Sequence, residues 1–336
     1  MVAEIGGHLI SIIDNACSSV LNLDRQMSAE TVIGDFVINR QTREIDRLCH
    51  AFVARHLPSA GHLRYVSSVL RLNIALERIG DYAATISRAA AQLTDKPPKV
   101  VAQDIQMMNE QARSILADAM QSYNERDVNL AKKVLKTARN FAPHFDRVFD
   151  DLAKEGDQNS RPVRDLFSLI ATLNRLERVI HQAKNVCEET IFVVTGESKG
   201  EKKFRILFVD EGNDGAGQLA EHFTQKAFPN SGQYASAGWS PSELISPEFA
   251  SFGGTVGIDL SKAWPTDLKT LTEQLDDYDL IVCLSQAAFD HLPRLPFHTT
   301  ALSWELDTSQ SPELVYRQLT PQIRELMERL RGEQAS

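Results

Sequence analysis

The stretch from Ile206 to Phe223, ILFVDEGNDGAGQLAEHF, combines the parts of an anion-binding loop with acidic side chains. Strand-forming residues lead into a glycine-rich turn, and the turn opens an amphipathic helix. Backbone N–H groups in such a turn and at a helix N-terminus attract phosphate. The turn contains Asp210, Glu211 and Asp214 but no Lys, Arg or Cys. The pattern therefore predicts the shape of a phosphate loop without the groups that usually hold or attack phosphate.

Two further chemistries fit the acids of this loop. Asp210 is a possible phosphoryl acceptor, although that reaction needs Mg²⁺ held by further carboxylates. The spacing of Asp210, Asp214 and Glu221 also follows a calcium-binding loop, except that the third position of the loop is Gly212. A strand precedes the loop where a calcium loop has a helix. We therefore favour an inert loop that keeps its turn glycines for the fold, on a surface reused for protein contact.

A second group of carboxylates lies in the first half of the chain, in the segment Glu77-Arg-Ile-Gly-Asp81. Glu77 and Asp81 are four residues apart, so both side chains leave one face of a helix. Asp46 lies on the preceding helix and approaches them if the two helices pair antiparallel. Carboxylates that meet across helices can bind iron, manganese, zinc or magnesium. The alternative is an exposed face on which arginines balance these acids.

These carboxylates lie in the first 195 residues or so, which are predicted to be helical throughout. Apolar residues recur every three or four positions. Three breaker-rich segments divide the region into long antiparallel helices: His56–Gly61, Asp95–Lys99 and Lys154–Pro162. Arg71–Ala90 aligns without gaps with Ala171–Thr190, an offset of 100 residues. This repeat predicts two pseudo-symmetric three-helix units.

The hydrophobic period changes after a polar linker at 196–203, so the chain divides into 1–195, the linker and 204–332. Beyond the linker, strands and helices alternate, which predicts a parallel sheet covered on both faces. The expected strands are Arg205–Val209, Gln233–Ser236, Leu280–Leu284 and, more weakly, Thr299–Ser303. The expected helices are Gly217–Ala227, Pro247–Val256, Pro265–Leu275 and Pro312–Arg331.

The distribution of charge and the spacing of the cysteines argue against several classes of function. From Phe204 onward, 19 Asp and Glu outnumber 9 Lys and Arg, whereas residues 1–203 have a net charge of +1. The acidic second part repels nucleic acid and anionic membrane surfaces. No apolar run approaches the length of a membrane span. The 4 cysteines are widely spaced without a CxxC pair, which favours a reducing, cytoplasmic location over disulfides or a zinc site.

The helical region resembles the PhoU family of phosphate-uptake regulators over roughly residues 28–198. The resemblance is carried by VIGDFVINRQTREIDRL, by ALERIGDYA with its second copy, and by ETIFVVTGES. It implies a tandem three-helix bundle that couples a phosphate transporter to a sensor kinase as a negative regulator. PhoU-like bundles often self-associate, so the resemblance also implies a homodimer, peripheral to the membrane at most.

The resemblance further implies one metal-binding acidic cluster per repeat, built from an ExxxD pair and an E-R-x-G-D-x-x-x-N motif. The first repeat keeps Asp46, Glu77, Arg78, Gly80 and Asp81, but has Thr42 and Thr85 at the remaining positions. The second repeat keeps Glu177, Arg178 and Asn185, has Ile180-His181 in place of Gly-Asp, and lacks an ExxxD pair in Thr137–Asp146. We therefore expect a single metal ion, Fe, Zn, Mn or Mg, at Asp46, Glu77 and Asp81, with His181 a weaker substitute ligand.

The region after the linker resembles low-molecular-weight protein tyrosine phosphatases and thioredoxin-coupled arsenate reductases, over about residues 204–332. VDEGNDGAGQLAEHF has the shape of their active-site loop, VCxGNxCRSxMAExxF. The resemblance continues through Ser236-Ala-Gly238, Gly257–Ser261, Tyr278–Ser285 and Trp304-Glu-Leu-Asp307.

These enzymes need a cysteine thiolate, an arginine that grips the oxyanion and an aspartic acid that protonates the leaving group. Here the nucleophile position is Asp210, the arginine position is Ala216, and Asp307 survives as the acid. The degenerate loop thus consists of Asp210, Gly212, Asn213, Asp214, Gly215 and Ala216, together with Asp307.

The leading hypothesis is a cytoplasmic regulator of phosphate uptake or phosphate signalling that acts by protein contact and carries a phosphatase-like pseudoenzyme domain. Its expected partners are phosphate transporter or sensor kinase components, not nucleic acid. One alternative is an enzyme of the arsenate reductase or phosphotyrosine phosphatase type. Another is a metal-binding helical bundle.

Overall fold

The computed structural model describes residues 1–139, 151–154, 161–197, 202–296 and 299–332, with the side chains of Arg139 and Glu273 left out. The chain divides into two compact units, Met1–Gly200 and Glu201–Ser336. Parts of two sequence features, the breaker segment 154–162 and the linker 196–203, lie outside the described residues. So does most of Thr137–Asp146, where the second repeat was expected to lack an acidic pair.

The first unit consists of long helices in the described residues. They are α1 Val2–Asn22, α2 Arg25–His56, α3 Ala60–Gln92, α4 Lys99–Glu125, α5 Val128–Arg139 and α6 Val163–Thr195. Helices α3 and α6, which contain the two copies of the repeat, are both 33 residues long and pack against each other at the centre. Helices α1 and α2 pack on α3, while α4 and α5 pack on α6. This arrangement is the tandem bundle that the repeat predicts.

The ends of these helices follow local chemistry. Asp24 caps α2 by accepting a hydrogen bond from the backbone N–H of Met27 at 2.9 Å. Helix α2 ends at Leu57, which takes a left-handed conformation with φ 41°, before Pro58. Helix α6 ends at Gly196, where φ is 80° and glycine carries no steric penalty. The short connections after α1 and α2 make the helices on either side of them pair antiparallel.

The buried end of α6 is tied to the α3–α4 connection through Asp165, whose side chain is completely buried. Its carboxylate accepts hydrogen bonds from the backbone N–H of Thr94 at 3.1 Å and from the Thr94 hydroxyl at 2.9 Å. Arg161 pairs with the same carboxylate at 3.3 Å and also donates to the backbone carbonyls of Asp95 and Lys96. This network fixes the position at which α6 begins.

The second unit is built on four parallel strands in the order β2-β1-β3-β4. The strands are β1 Phe204–Asp210, β2 Gly232–Gly238, β3 Leu280–Cys283 and β4 Thr300–Ser303. The helices are α7 Ala216–Ala227, α8 Pro247–Thr255, α9 Gln286–Asp290 and α10 Pro312–Arg331. Alternate residues of β1 belong to two separate apolar clusters, one on each face of the sheet. The predicted parallel sheet with two covered faces is therefore confirmed.

One predicted helix is wrong in type and in start. The segment expected as a helix from Pro265 to Leu275 is a 3₁₀ helix over Leu268–Asp277, capped by Asp267, which accepts from the N–H of Lys269 at 2.9 Å. Pro265 and Thr266 stay extended because Thr266 hydrogen-bonds with both its N–H and its carbonyl to the neighbouring loop and to β2. The short helix α9 has no counterpart among the sequence predictions.

Candidate functional site

The degenerate loop lies at the carboxyl end of β1, and its backbone donors are occupied by a carboxylate of the protein itself. Asp210 Oδ1 accepts a hydrogen bond from the N–H of Asn213 at 2.8 Å, and Oδ2 accepts one from the N–H of Gly217 at 2.7 Å. Gly217 is in the first turn of α7, where the helix dipole favours negative charge. Asp210, 5 % exposed, therefore stands where a phosphate loop would place its anion.

Asn213 holds the loop in its turn. Its φ of 50° is in the left-handed region, which Asn tolerates better than most residues. Its buried Oδ1 accepts from Gln218 Nε2 at 2.9 Å and from the N–H of Thr266 at 2.8 Å. Its Nδ2 is buried and has no partner among the described residues. Asn213 thus ties the loop to α7 and to the extended segment before the 3₁₀ helix.

Gly217 is required beside Asp210. A Cβ at this position would lie 3.0 Å from Asp210 Oδ1 and 3.0 Å from Asn213 Nδ2. The Ser or Thr that the resembling enzymes carry here would compete for the space that the Asp210 carboxylate uses. The two departures from the enzyme motif, Asp210 and Gly217, are therefore compatible with each other sterically.

Burial raises the pKa of Asp210 to about 6, although the two backbone hydrogen bonds from Gly217 and Asn213 act in the opposite direction. Desolvation disfavours the charged form of a carboxylic acid, and the negative charge of nearby Asp214 adds to this effect. At neutral pH the carboxylate is ionised. It then repels any second anion that approaches the same N–H groups.

The other residues of the predicted loop have structural contacts. Asp214 Oδ2 accepts from Ser242 Oγ at 2.7 Å, and the Asp214 carbonyl accepts from the N–H of Ser246. A Cβ at Gly212 would lie 2.9 Å from that Ser242 hydroxyl, and one at Gly215 would lie 2.8 Å from the Phe249 ring. Ala216, at the position of the enzymes' arginine, is 3 % exposed and packs in the core.

Asp307, at the position of the general acid, is engaged locally. Its carboxylate accepts hydrogen bonds from the Ser309 hydroxyl at 2.6 Å, the Ser309 N–H at 3.1 Å and Gln310 Nε2 at 3.0 Å. The first of these contacts contributes most to lowering the pKa of Asp307. A general acid needs a pKa near neutrality. Through these hydrogen bonds, Asp307 holds the turn before α10.

No thiolate stands in for the missing nucleophile at this loop. Cys283, the single cysteine of the second unit, lies fully buried in β3, and burial raises its pKa to about 12. The nucleophile of thiol phosphatases is a thiolate, which a low pKa supplies. At the positions of the enzymes' cysteine and arginine, this loop has Asp210 and Ala216.

A calcium site in this loop would require the side chains of Asp210, Asp214 and Glu221 to converge on one ion. Glu221 Oε2 instead accepts from Ser236 Oγ at 2.6 Å, while Asp214 pairs with Ser242. Across the described residues, no group of three or more His, Cys, Asp or Glu side chains is placed to hold a metal ion. The carboxylates of the loop are divided among separate hydrogen-bond partners.

In the helical unit, the register of α2 against α3 decides which carboxylates meet. Asn73 Nδ2 donates to the carbonyl of Thr42 at 2.7 Å, and a Cβ at Gly80 would lie 2.7 Å from Asp35 Oδ1. Both contacts fit an antiparallel pairing about the turn at Pro58. This pairing brings Asp35 beside Gly80 and Asp81.

Asp35 is therefore the carboxylate of α2 that faces the ERIGD segment, and sequence reasoning missed it. Burial, and then the negative charge of Asp81, raises the pKa of Asp35, while a hydrogen bond from Asn39 opposes the shift. Its Oδ1 is buried without a hydrogen-bond partner. The signal was present in the sequence, because a hairpin centred on Pro58 pairs residue 35 with residue 81.

The predicted grouping of Asp46 with Glu77 and Asp81 is not what the structure assembles. The same register places Asp46 opposite the turn of α3 that precedes Asn73, about three helical turns short of Asp81. Asp46 is exposed and lies 3.6 Å from His50 Nδ1 on its own helix. The three predicted ligands do not fit one metal ion, and no step of the function proposed below depends on a metal.

In the second repeat, Glu177 is buried and His181 Nε2 lies 3.9 Å from its Oε1. Asn185 Nδ2 donates to Gln182 Oε1 at 3.0 Å. Nearby, Arg71 of α3 and Glu189 of α6 form a two-pronged ion pair with N–O distances of 2.6 and 2.8 Å. The Arg71–Glu189 ion pair joins the two repeats, whereas the other two contacts lie within α6.

Comparison with known proteins identifies the helical unit. A family model described as the PhoU domain matches residues 2–90 and 105–190, just over half of the chain. The chain belongs to the PhoU family. Within this family, it is similar to the phosphate-specific transport system accessory protein PhoU homolog of Pseudomonas putida. The two are 28% identical over 203 residues, which cover 57% of this chain and 78% of that protein.

The PhoU unit also matches solved structures. The crystal structure of PhoU from Pseudomonas aeruginosa superposes with a TM-score of 0.56 and 25% identity, covering 58% of this chain and 94% of that one. The second unit has the fold class predicted for it. Its solved neighbours include a low-molecular-weight protein tyrosine phosphatase from T. tengcongensis, with a TM-score of 0.33, 22% identity and coverage of 38% of this chain. None of the described helices has the length and apolar composition needed to cross a bilayer.

Proposed function

We propose that this PhoU-family chain regulates phosphate uptake through protein contact and that its second unit is a catalytically inactive, phosphatase-like binding module. Membership of a family whose named members are accessory proteins of phosphate-specific transport supports the regulatory role. The proposal of an inactive second unit rests on one observation. The Asp210 carboxylate accepts hydrogen bonds from two backbone N–H groups of the loop. The transporter complex is the proposed partner, a sensor kinase is a further one, and the contact is made on the cytoplasmic side.

Three features support the proposed inactivity of the second unit. The cysteine nucleophile is absent, the arginine position is a buried alanine, and a carboxylate already accepts from two of the loop's backbone N–H groups. Removing one preorganised electrostatic contact from an active site typically costs 10²–10³ in rate, so losing the nucleophile as well leaves no efficient route. The alternative of an arsenate reductase or phosphotyrosine phosphatase gains no support from Asp307, whose low pKa is the opposite of what an acid catalyst needs.

Catalysis is tested directly with para-nitrophenyl phosphate and with arsenate plus a thioredoxin system, using purified full-length protein. We expect no turnover above that of Asp210→Ala and Asp307→Ala variants. Clear turnover by the wild type that disappears in Asp210→Ala would overturn the inactive-module proposal. The regulatory proposal would still stand after that result.

Regulation is tested in cells that lack the chain. We expect phosphate uptake and the phosphate-starvation response to lose their normal dependence on external phosphate, and the full-length chain to restore it. Cells that respond normally without the chain would contradict the regulatory role. Sedimentation of the purified protein separately tests the expected homodimer.

A further inference from the structure

The hairpin formed by α2 and α3 ends in an apolar surface that the fold leaves exposed. Five large apolar side chains share this end: Leu48, Phe52, Leu57, Leu63 and Tyr65, which we call the hairpin-end surface. Leu57, in the left-handed turn that ends α2, is 90 % exposed. Single exposed apolar residues are ordinary, whereas a contiguous group of them marks an interaction site.

This surface is concave. A cavity of about 290 Å³ opens between α2 and α3, and Leu48, Phe52 and Tyr65 of the hairpin-end surface form part of its wall. Val66, Val69 and the 9 % exposed Cys49 also line it, and its walls are almost wholly apolar. Small-molecule sites usually span about 300–1,000 Å³, so this cavity has room for one large side chain. A flat bilayer surface would leave such a hollow unfilled.

Several polar side chains near the Pro58 end of the cavity are basic. Arg55 and His56 belong to the last turn of α2, and the His56 ring packs against Phe52 at a tilt of 39°, with ring centroids 5.0 Å apart. His62 also lines the cavity, and the Arg126 guanidinium lies over the Tyr65 ring at 5.4 Å. Among the described residues, no carboxylate forms an ion pair with Arg55. Aromatic and arginine side chains beside an apolar pocket are the composition of interface hot spots.

We propose that the hairpin-end surface binds an acidic segment of a partner protein and that the cavity receives one large apolar side chain of that segment. Arg55 and the neighbouring cations supply the complementary charge, which selects the partner and orients it. The inference rests on the proposed function in one respect, namely that this family member acts by protein contact. It adds the face that makes the contact and the chemistry of the segment that is bound.

The experiment places the photo-crosslinking residue p-benzoylphenylalanine at Leu57 of the full-length protein in cells, with Ile74, an exposed apolar position farther along α3, as the control. The crosslinked segment is identified by mass spectrometry. We expect crosslinks from position 57 to a protein segment rich in Asp and Glu with a large apolar residue. The yield should fall about tenfold or more in Val69→Trp, which fills the cavity, and in Arg55→Glu. Lys132→Glu, a charge reversal on α5, should leave the yield unchanged.

Correct folding of each variant is checked by far-ultraviolet circular dichroism and thermal unfolding, and Arg55→Glu, which alters a surface side chain, covers the case in which Val69→Trp does not fold. Wild-type yield in both folded variants would overturn the proposal. So would crosslinks to a second copy or to this chain's own second unit. Retention on phosphatidylglycerol-containing vesicles that is lost in Arg55→Glu would assign the surface to membranes instead.

Two outcomes separate this inference from the proposed function. If the captured acidic segment belongs to a protein unrelated to phosphate transport, the docking surface stands and the proposed function fails. If Val69→Trp and Arg55→Glu fold, lose no crosslink and still restore phosphate control in cells, the docking surface fails and the proposed function stands.

Discussion

The carboxylate of Asp210 resolves the contradiction of an anion loop that carries acids. Without Asp210, two backbone N–H groups, that of Asn213 in the turn and that of Gly217 in the first turn of α7, would lack partners in an empty loop. A buried unpaired donor costs about 1–3 kcal/mol. Asp210 satisfies both donors from within the chain. The carboxylate therefore occupies two donors of the loop that a bound anion would otherwise use.

Removing that carboxylate should reopen the loop. We expect Asp210→Ala to be stabilised by inorganic phosphate, by about 1.4 kcal/mol at a concentration ten times its Kd, because the freed N–H groups and the orphan Asn213 Nδ2 can bind the oxyanion. Thermal unfolding with increasing phosphate, at constant ionic strength, measures the effect. Wild type and Asp214→Ala, which removes a loop acid outside the cradle, should show no such response. An equal response in wild type would mean that Asp210 does not block the loop.

The raised pKa of Asp210 predicts a pH dependence with a definite sign. The folded state binds this proton up to pH 6 or so, whereas the unfolded chain releases it near the ordinary Asp value of 3.8. Stability is therefore greatest below the unfolded pKa and falls as pH rises through the folded pKa. We expect the second unit to lose about 2 kcal/mol between pH 4 and pH 7 relative to Asp210→Asn. Urea unfolding across that range measures it, and parallel curves for the two proteins would contradict it.

At the level of elements, the pairing of α2 with α3 shows how the ERIGD segment, Glu77–Asp81, contributes to helix packing. Gly80 has no side chain, which lets Asp35 of α2 approach the backbone of α3. The carboxylate of Asp35 then lies near that of Asp81, and burial, followed by the negative charge of Asp81, raises the pKa of Asp35. The motif is thus a helix-packing feature as well as an acidic one.

The start of α6 provides an element-scale prediction. Asp165→Ala removes a buried carboxylate that pairs with Arg161 and accepts two hydrogen bonds from Thr94. Breaking a buried pair leaves its partners unsatisfied, so we expect a loss of about 3 kcal/mol in the free energy of unfolding of the helical unit. Asp95→Ala, in the exposed connection beside it, should stay within about 0.5 kcal/mol. Chemical denaturation followed by circular dichroism distinguishes the two, and equal effects would disprove the role of the network.

At the level of the whole molecule, the two units have separate cores and different charge. One apolar cluster lies wholly in the first unit, and two others lie wholly in the second. The second unit also concentrates the acidic excess, since residues from Phe204 onward contain 19 acidic and 9 basic side chains. Such a charge favours solubility and works against compactness through self-repulsion.

Separate cores predict separate folding. We expect residues 1–197 and residues 202–336, produced as two proteins, each to unfold in a cooperative transition. The second fragment should be stabilised by added salt, because screening reduces repulsion among its acids. Calorimetry of each fragment measures both effects. A fragment without a cooperative transition would show that the unit needs the rest of the chain.

Local sequence patterns determined most of the architecture. The three-to-four periodicity and the 100-residue repeat predict the helices of the first unit, and helix α10 begins and ends where the sequence places it. The strand and loop motifs of the second unit likewise predict its parallel sheet and the absence of a nucleophile and an arginine. These features depend on residues close together in the chain, so the sequence carries them directly.

Tertiary structure alone decided which distant groups meet and where side chains point. Periodicity placed Asp46 and Asp81 on suitable helix faces, but only the register about Pro58 showed that Asp35 takes the facing position. The sequence likewise put an acid at residue 210 without indicating whether it faces solvent, a cation or its own backbone. Its direction follows from the space at Gly217 and the burial of the loop. Both outcomes depend on packing between segments, which residue spacing along one element does not specify.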